Sequence, residues 1–460
     1  MQVMKIRGGK PLNGSIEASG AKNAVTKMIV ASLISDQPCL FRNVPNITEV
    51  QITLDLCHEL GMKYQWDKEK KTLSVVTPKL TSTSIPQRFS GANRIPILLI
   101  GALLGRTDED ICVPTVGGCK IGKRPVDFHI KALESLGATI ELHDLKNDGA
   151  YLAHAHQGLK GCTIELPYPS VGATENTILA GCKAQGVTTI KNAAIEPEIL
   201  DLICFLQKLG AMIFLDADRT IIIKGTDLFY PTEHEVICDR IEVASYAMAA
   251  ISTKGKIFVK GAKQQDLISF LKPYREINGG FTVYQDGIEF FYQGPLKGGI
   301  TIETDVHPGF LTDWQQPFAV ILTQTEGQSV IHETVYENRF GYTEILKQMG
   351  AKITLFTQCL GEKCCRFKGK NFQHSIVVSG PTPLHGREIS IPDLRAGFAY
   401  VLAALTAKSE TTLTNLHYLD RGYDNLAQKL QSLGADLELV EVKGPIPLEE
   451  VILPKEALTF

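Results

Sequence analysis

The segment Gly117-Gly118-Cys119-Lys120-Ile121-Gly122-Lys123-Arg124-Pro125-Val126-Asp127 sets one thiol among three cations. Positive charge near a cysteine lowers its pKa from about 8.5 and makes the thiolate available. The glycines free backbone N–H groups that can hold an anion. The plain alternative is a surface hairpin with a bystander cysteine, and residue types alone leave both open. Cys204, by contrast, sits in an apolar run and is expected to be buried and inert.

Other segments carry groups suited to anions or proton transfer. Ser19-Gly-Ala-Lys22-Asn23-Ala24 combines small residues, which let the backbone approach a ligand, with a lysine that can face a phosphate or carboxylate. It also reads as a simple helix start capped by Ser19. Ser170-Val171-Gly172-Ala173-Thr174 reads as a strand-to-helix turn whose free N–H groups suit a diphosphate, or as an ordinary N-cap. In His307-Pro-Gly-Phe-Leu-Thr-Asp313 the aspartate is either a cap or a general base. Tyr336-Glu-Asn-Arg339, Asp393-Leu-Arg395 and Asp420-Arg421 each set an acid or amide near an arginine. Any one of these is explained by a surface ion pair. Several arginines converging on one cleft would instead bind phosphate or carboxylate bidentately.

The whole chain narrows the choices. It has 460 residues, too many for one ordinary core, so two or more domains are expected. A net charge of -3 favours neither nucleic acid nor a polybasic membrane contact. The start has no apolar leader, and no apolar run is long enough to span a bilayer. The 11 cysteines form no Cys-x-x-Cys pair, which argues against a disulfide framework or a zinc site and fits a reducing cytoplasm. The dense cluster Cys359, Cys364, Cys365 is read as plain thiols near a hairpin. His154 and His156 are read as a surface pair on one strand face. No P-loop and no Gly-x-Gly-x-x-Gly dinucleotide fingerprint is present.

The elements that must position these groups come from an internal repeat. An amphipathic helix end, a glycine and an alternating strand recur six times. Copies include Leu133-Glu-Ser-Leu136-Gly137-Ala-Thr-Ile140 and Leu430-Gln-Ser-Leu433-Gly434-Ala-Asp-Leu437. The glycines fall at 61, 137, 210, 279, 350 and 434. Leucines three apart bury one stripe of the helix, and glycine supplies the left-handed residue that stops it. The fourth copy, Ile277-Asn-Gly279, is degenerate. A second echo precedes the helices: Phe41-Arg-Asn-Val-Pro45, Ile190-Lys-Asn-Ala-Ala194 and Thr412-Leu-Thr-Asn-Leu416. The spacing predicts an α/β chain of six modules in two pseudo-symmetric halves, with a ligand site between them.

Taken in order, these segments resemble the UDP-N-acetylglucosamine 1-carboxyvinyltransferases, a family of enolpyruvyl transferases, from about Lys5 to about Leu439. The resemblance implies the enolpyruvyl-transferase fold, with two domains of three βαβαββ-like units each. It divides the chain into residues 22–237, carrying the Cys119 loop, and residues 1–21 with 238–460, carrying Asp313, Arg395 and Arg421. It implies transfer of the enolpyruvyl group of phosphoenolpyruvate to the 3-hydroxyl of UDP-N-acetylglucosamine with release of phosphate. That is the first committed step of peptidoglycan precursor synthesis, tied to cell shape and division, with no metal or organic cofactor.

By the same resemblance Cys119 protonates the enolpyruvyl methylene and is the residue alkylated by fosfomycin. Asp313 lies beside the sugar hydroxyl, and Lys22 is catalytic as well as anion-binding. Lys22, Asn23, Arg124, Arg395 and Arg421 hold phosphoenolpyruvate. Asn23, Arg94, Arg124, Ser170, Val171, Gly172, Asp313 and Val335 hold the sugar nucleotide. The chain departs from the family pattern at Lys120 and Lys123 in the loop, at Pro96 beside Arg94, at Tyr168-Pro169 and at Leu311. Two other readings remain: transfer to another acceptor such as shikimate 3-phosphate, and a sugar-nucleotide-binding paralogue without turnover.

Overall fold

The computed structural model describes residues 2–117, 125–143, 149–363 and 365–442. Its buried apolar residues form two separate cores. One draws on residues 21–236, the other on residues 4–18 and 241–437. The chain passes between them twice, and the two passages pair: Gly20 bridges Cys238 antiparallel, Ala21 N donates to Ile237 O at 2.7 Å, and Asp239 N donates to Ser19 O at 2.8 Å.

Among the described residues, six sheets surround the two cores. Five have four strands and one arrangement: a parallel edge pair followed by two antiparallel pairs. Thr163–Glu165, Val187–Lys191, Thr220–Lys224 and Met212–Asp216 show it in one core. Thr301–Glu303, Gly327–His332, Ser375–Gly380 and Lys352–Phe356 show it in the other. The sixth sheet, Ile111–Pro114, Ala150–His154 and Thr139–His143, has three described strands, all antiparallel.

The repeat seen in sequence supplies the corners. Gly61, Gly137, Gly210, Gly350 and Gly434 all have positive φ, between 95° and 120°. The fourth copy differs from expectation. Gly279 opens a strand, and Asn278 takes the left-handed conformation at φ 69°. Asparagine tolerates that region because its short amide bonds locally. Asn43, Asn192 and Asn415 are likewise left-handed at equivalent strand ends, φ 53–58°. Cys204 corrects another expectation. It is exposed, because on Pro197–Leu209 the helical period turns it outward while Ile203 and Phe205 go in.

Three helices are buried inside each core. Lys22–Ala31, Pro96–Leu103 and Val171–Gly181 serve one; Arg240–Ser252, Thr312–Leu322 and Leu394–Thr406 serve the other. They are apolar nearly all round, as buried helices must be. Their polar residues collect at the N-terminal turns. No described helix is long and apolar enough to cross a membrane.

Candidate active site

Most of the candidate residues lie at the N-termini of these six inner helices. Lys22 and Asn23 open the first, and Arg94 stands two residues before Pro96, which occupies the first turn of the second. Proline there costs nothing, since its missing N–H would be unpaired anyway. Ser170 caps the third helix, its hydroxyl accepting from Ala173 N at 3.5 Å, so the N-cap reading of that turn is correct. Val171 and Gly172 form the first turn, half-buried. A Cβ on Gly172 would sit 2.8 Å from the His129 ring, so only glycine keeps this close packing. Ser19 does not cap the first helix. Ala21 is the N-cap residue, and Ser19 instead binds Glu242 and Lys429.

Asp313 is not a cap either; Leu311 holds that position. The Asp313 carboxylate takes a 2.5 Å hydrogen bond from Arg339 and lies 3.7 Å from Arg395. Both guanidiniums are buried, whereas Asp313 keeps 22% of its side chain exposed. Burial opposes the charge on Arg395, yet Asp313, Tyr423 and Asp239 around it raise its pKa overall. Asp239 caps the neighbouring helix, and burial pushes its carboxyl up to about 6 against the pull of Arg395. In the sequence Arg339 is only one arginine among several. Nothing in its local spacing marks it as the partner of a residue 26 positions away.

Val335 is placed by Glu333, whose Oε1 accepts from Val335 N at 2.8 Å and Tyr336 N at 3.0 Å. Its other oxygen accepts from Thr312 at 2.8 Å. Burial raises the Glu333 pKa while Arg339 and these donors lower it. One buried carboxylate thus ties the Val335 turn to the helix bearing Asp313.

Arg421 follows the short helix His417–Asp420 and crosses to the other core. Its Nε donates to Glu49 Oε1 at 2.6 Å and its Nη2 to Ala92 O at 3.2 Å. Asn93 Nδ2 holds the second Glu49 oxygen at 3.1 Å, and Asn93 O accepts from Gly117 N at 3.0 Å. The chain from Arg421 through Glu49 and Asn93 therefore ends at the root of the cysteine loop. Cys119 and Arg124 themselves lie outside the described residues.

A second cross-core group stands nearby. Arg240 pairs bidentately with Glu198 at 3.0 Å, and its third nitrogen is 3.4 Å from His307 Nδ1. Burial, then Arg240 and Arg219, lowers the His307 pKa to about 4, so the imidazole is neutral at pH 7. Nothing in the sequence singles out Glu198 and Arg240 as partners, since they lie 42 residues apart and come from different cores.

The sequence model of the EPSP synthase (3-phosphoshikimate 1-carboxyvinyltransferase) family matches residues 6–430. The chain is 64% identical to a UDP-N-acetylglucosamine 1-carboxyvinyltransferase of Protochlamydia amoebophila, covering 96% of this chain and 95% of that one. It is 54% identical to the enzyme of that name from Chlamydia pneumoniae, covering 96% of both. Among solved structures, the enolpyruvyl transferase NikO from Streptomyces tendae superposes with a TM-score of 0.83 at 24% identity, covering 95% of this chain and 98% of that one. EPSP synthase from Acinetobacter baumannii gives 0.74 at 17%, covering 96% and 100%. These two show a shared fold. With matching sequence over nearly its whole length, the chain belongs to the UDP-N-acetylglucosamine 1-carboxyvinyltransferase family of enolpyruvyl transferases, within the wider EPSP synthase family.

Proposed function

We infer that the protein transfers the enolpyruvyl group of phosphoenolpyruvate to the 3-hydroxyl of UDP-N-acetylglucosamine and releases phosphate. Near-full-length identity of 64% to a relative of that name supports the reading. The observation that carries it in the structure is Asp313, a carboxylate held between the buried Arg339 and Arg395 with 22% of its side chain exposed. The two cations fix its orientation beside an incoming hydroxyl. They also favour the negative charge that develops there, in surroundings where water does little screening.

Both substrates are anions, and the site is built for anions. Helix N-termini carry partial positive charge and unpaired N–H groups. Lys22, Arg124 and Arg421 take the phosphate and carboxylate of phosphoenolpyruvate, while Asn23, Arg94 and the Ser170-Val171-Gly172 turn take the sugar nucleotide. Cys119 donates the proton to the methylene carbon, and Asp313 receives the one that the sugar hydroxyl loses. Two groups with opposite proton duties argue against a paralogue that only binds, since binding alone needs neither.

We further propose that residues 22–237 form one domain and residues 1–21 with 238–460 the other. Two cores joined by paired crossings at 19–21 and 237–239 support that division. The reaction belongs to the cytoplasmic stage of peptidoglycan synthesis, and alkylation of Cys119 by fosfomycin would stop it.

The deciding experiment measures phosphate release from phosphoenolpyruvate with UDP-N-acetylglucosamine, and in parallel with shikimate 3-phosphate. Release with the sugar nucleotide alone, blocked by fosfomycin, is expected. Release only with shikimate 3-phosphate, or ligand-stabilised melting with no release, would overturn the assignment.

A further inference from the structure

We propose that His332, Cys359, Cys365 and His374 hold one zinc ion in a closed four-coordinate site, remote in role from the transfer chemistry. In sequence the cluster Cys359, Cys364, Cys365 reads as plain thiols near a hairpin, and His332 lies 27 residues before Cys359. The fold brings all four together: one potential ligand atom from each lies within 4.8 Å of the others.

Two of the six ligand-to-ligand spacings fit the edges of a tetrahedral site. Cys359 Sγ is 3.5 Å from Cys365 Sγ and 3.3 Å from His374 Nε2. With Zn–S about 2.3 Å and Zn–N about 2.0–2.1 Å, the edges of a tetrahedron are about 3.3–3.8 Å. Both cysteines are free thiols. Two soft sulfurs and two imidazoles are a donor set that selects zinc over oxygen-seeking ions such as calcium or magnesium.

Each histidine is oriented from behind. His332 Nδ1 meets Glu303 Oε1 at 3.0 Å, and His374 Nδ1 meets Phe372 O at 2.8 Å. That arrangement leaves Nε2 of each ring as the ligand, and metal-binding histidines are routinely held this way. His332 is fully buried, and its Nε2 has no hydrogen-bond partner. An orphan buried nitrogen destabilises the fold if nothing binds it. A thiol–imidazole network without metal satisfies His374 and leaves His332 unsatisfied. The backing is itself fitted closely: a Cβ on Gly361 would fall 2.0 Å from Glu303 Oε1 and 2.5 Å from His332 Nδ1.

Binding replaces one proton on each thiol with a bond to the ion, and the two protons leave to solvent. Two thiolates and two neutral imidazoles cancel the charge of Zn²⁺. Four protein ligands leave no open position, so the ion is structural. It pins the stretch between Cys359 and His374 against the strand Gly327–His332. From that stretch Lys363 N binds Glu303 at 2.8 Å, Lys363 Nζ pairs with Asp305, and Arg366 binds the Val335 carbonyl and lies 5.6 Å from the Tyr168 ring centre. The metal thereby braces the turn bearing Val335.

The test is metal content of the untagged full-length protein purified under reducing conditions. About one zinc per chain is expected, falling at least tenfold in the Cys359→Ser/Cys365→Ser double variant and unchanged in Cys112→Ser, Cys204→Ser and Cys364→Ser. Because the double variant could fold poorly, the wild-type zinc is also exchanged for Co²⁺. The intense visible absorption of tetrahedral cobalt with thiolate charge transfer is expected. Protein without stoichiometric zinc that also gives no such cobalt spectrum would overturn the proposal. So would a Cys359–Cys365 disulfide in the purified protein, or loss of metal in Cys364→Ser with retention in Cys365→Ser.

Discussion

Arg421 and Glu49, 372 residues apart in sequence, form an ion pair across the two cores, Nε to Oε1 at 2.6 Å. Glu49 is nearly fully buried and Arg421 keeps 21% of its side chain exposed. The guanidinium proposed to hold phosphoenolpyruvate is therefore already engaged by a carboxylate. Glu49→Gln removes the competing charge. Inhibition by inorganic phosphate, and KM for phosphoenolpyruvate, should each improve about three- to tenfold, roughly 1 kcal/mol. Weaker phosphate binding in that variant would mean that Glu49 positions Arg421 for the ligand instead of competing with it.

Asp313→Asn keeps the shape and removes the charge. Loss of a positioned proton acceptor is expected to lower kcat about 10²- to 10⁴-fold. It also leaves the buried Arg339 without its 2.5 Å carboxylate partner. Because Glu333 still acts on Arg339, the destabilisation should be limited to about 1–3 kcal/mol. Thermal melting and single-turnover rates measured together separate the two effects. Wild-type kcat with a lowered melting point would remove Asp313 from the chemistry.

Cys119→Ala should slow phosphate release at least about 100-fold while UDP-N-acetylglucosamine still binds. Lys120, Lys123 and Arg124 surround the thiol in sequence, so its alkylation rate should rise with a midpoint pH below the free value of about 8.5. A midpoint at or above that value would show that the added lysines do not act on the sulfur.

Glu175 gives a pH prediction. It lies on the buried helix Val171–Gly181, 3.6 Å from Lys27, and burial pushes its carboxyl up to about 7 against the pull of that lysine. A folded-state pKa above the unfolded one means that the folded protein binds the extra proton. The stabilisation is complete below the unfolded value of about 4.5 and is lost as pH rises towards 7. Denaturant titrations from pH 4.5 to 7.5 should show Glu175→Gln losing less stability than wild type, by roughly 1–3 kcal/mol. Parallel curves for the two proteins would place the Glu175 pKa at its ordinary value.

Some of the architecture could be read directly from the residues. The helix–glycine–strand copies located five of the six corners, because a left-handed residue after a leucine stripe is a local demand that only a few side chains meet. The fourth copy, where Asn278 takes the left-handed place instead of Gly279, is blurred because asparagine does the same work without looking like the repeat. Helix ends were less legible. Ser19 and Asp313 have cap-forming side chains, but partners from distant segments claim them: Lys429 for the Ser19 hydroxyl, Arg339 and Arg395 for the Asp313 carboxylate.

The sequence by itself determined the six-module order and the family, and it showed Lys22, Arg395 and Arg421 as cations suited to anions and Asp313 as a carboxylate suited to capping or proton transfer. These rest on residue type and local spacing, which a chain carries whether folded or not. Only the tertiary structure decided who meets whom: Arg421 with Glu49, Arg240 with Glu198, Arg339 with Asp313, and four ligand-type side chains around one point beside Glu303. Such pairings depend on how two cores pack and on which buried charges must be neutralised there. That is a property of the assembled interior, because an unpaired charge is costly only once water has been excluded from it.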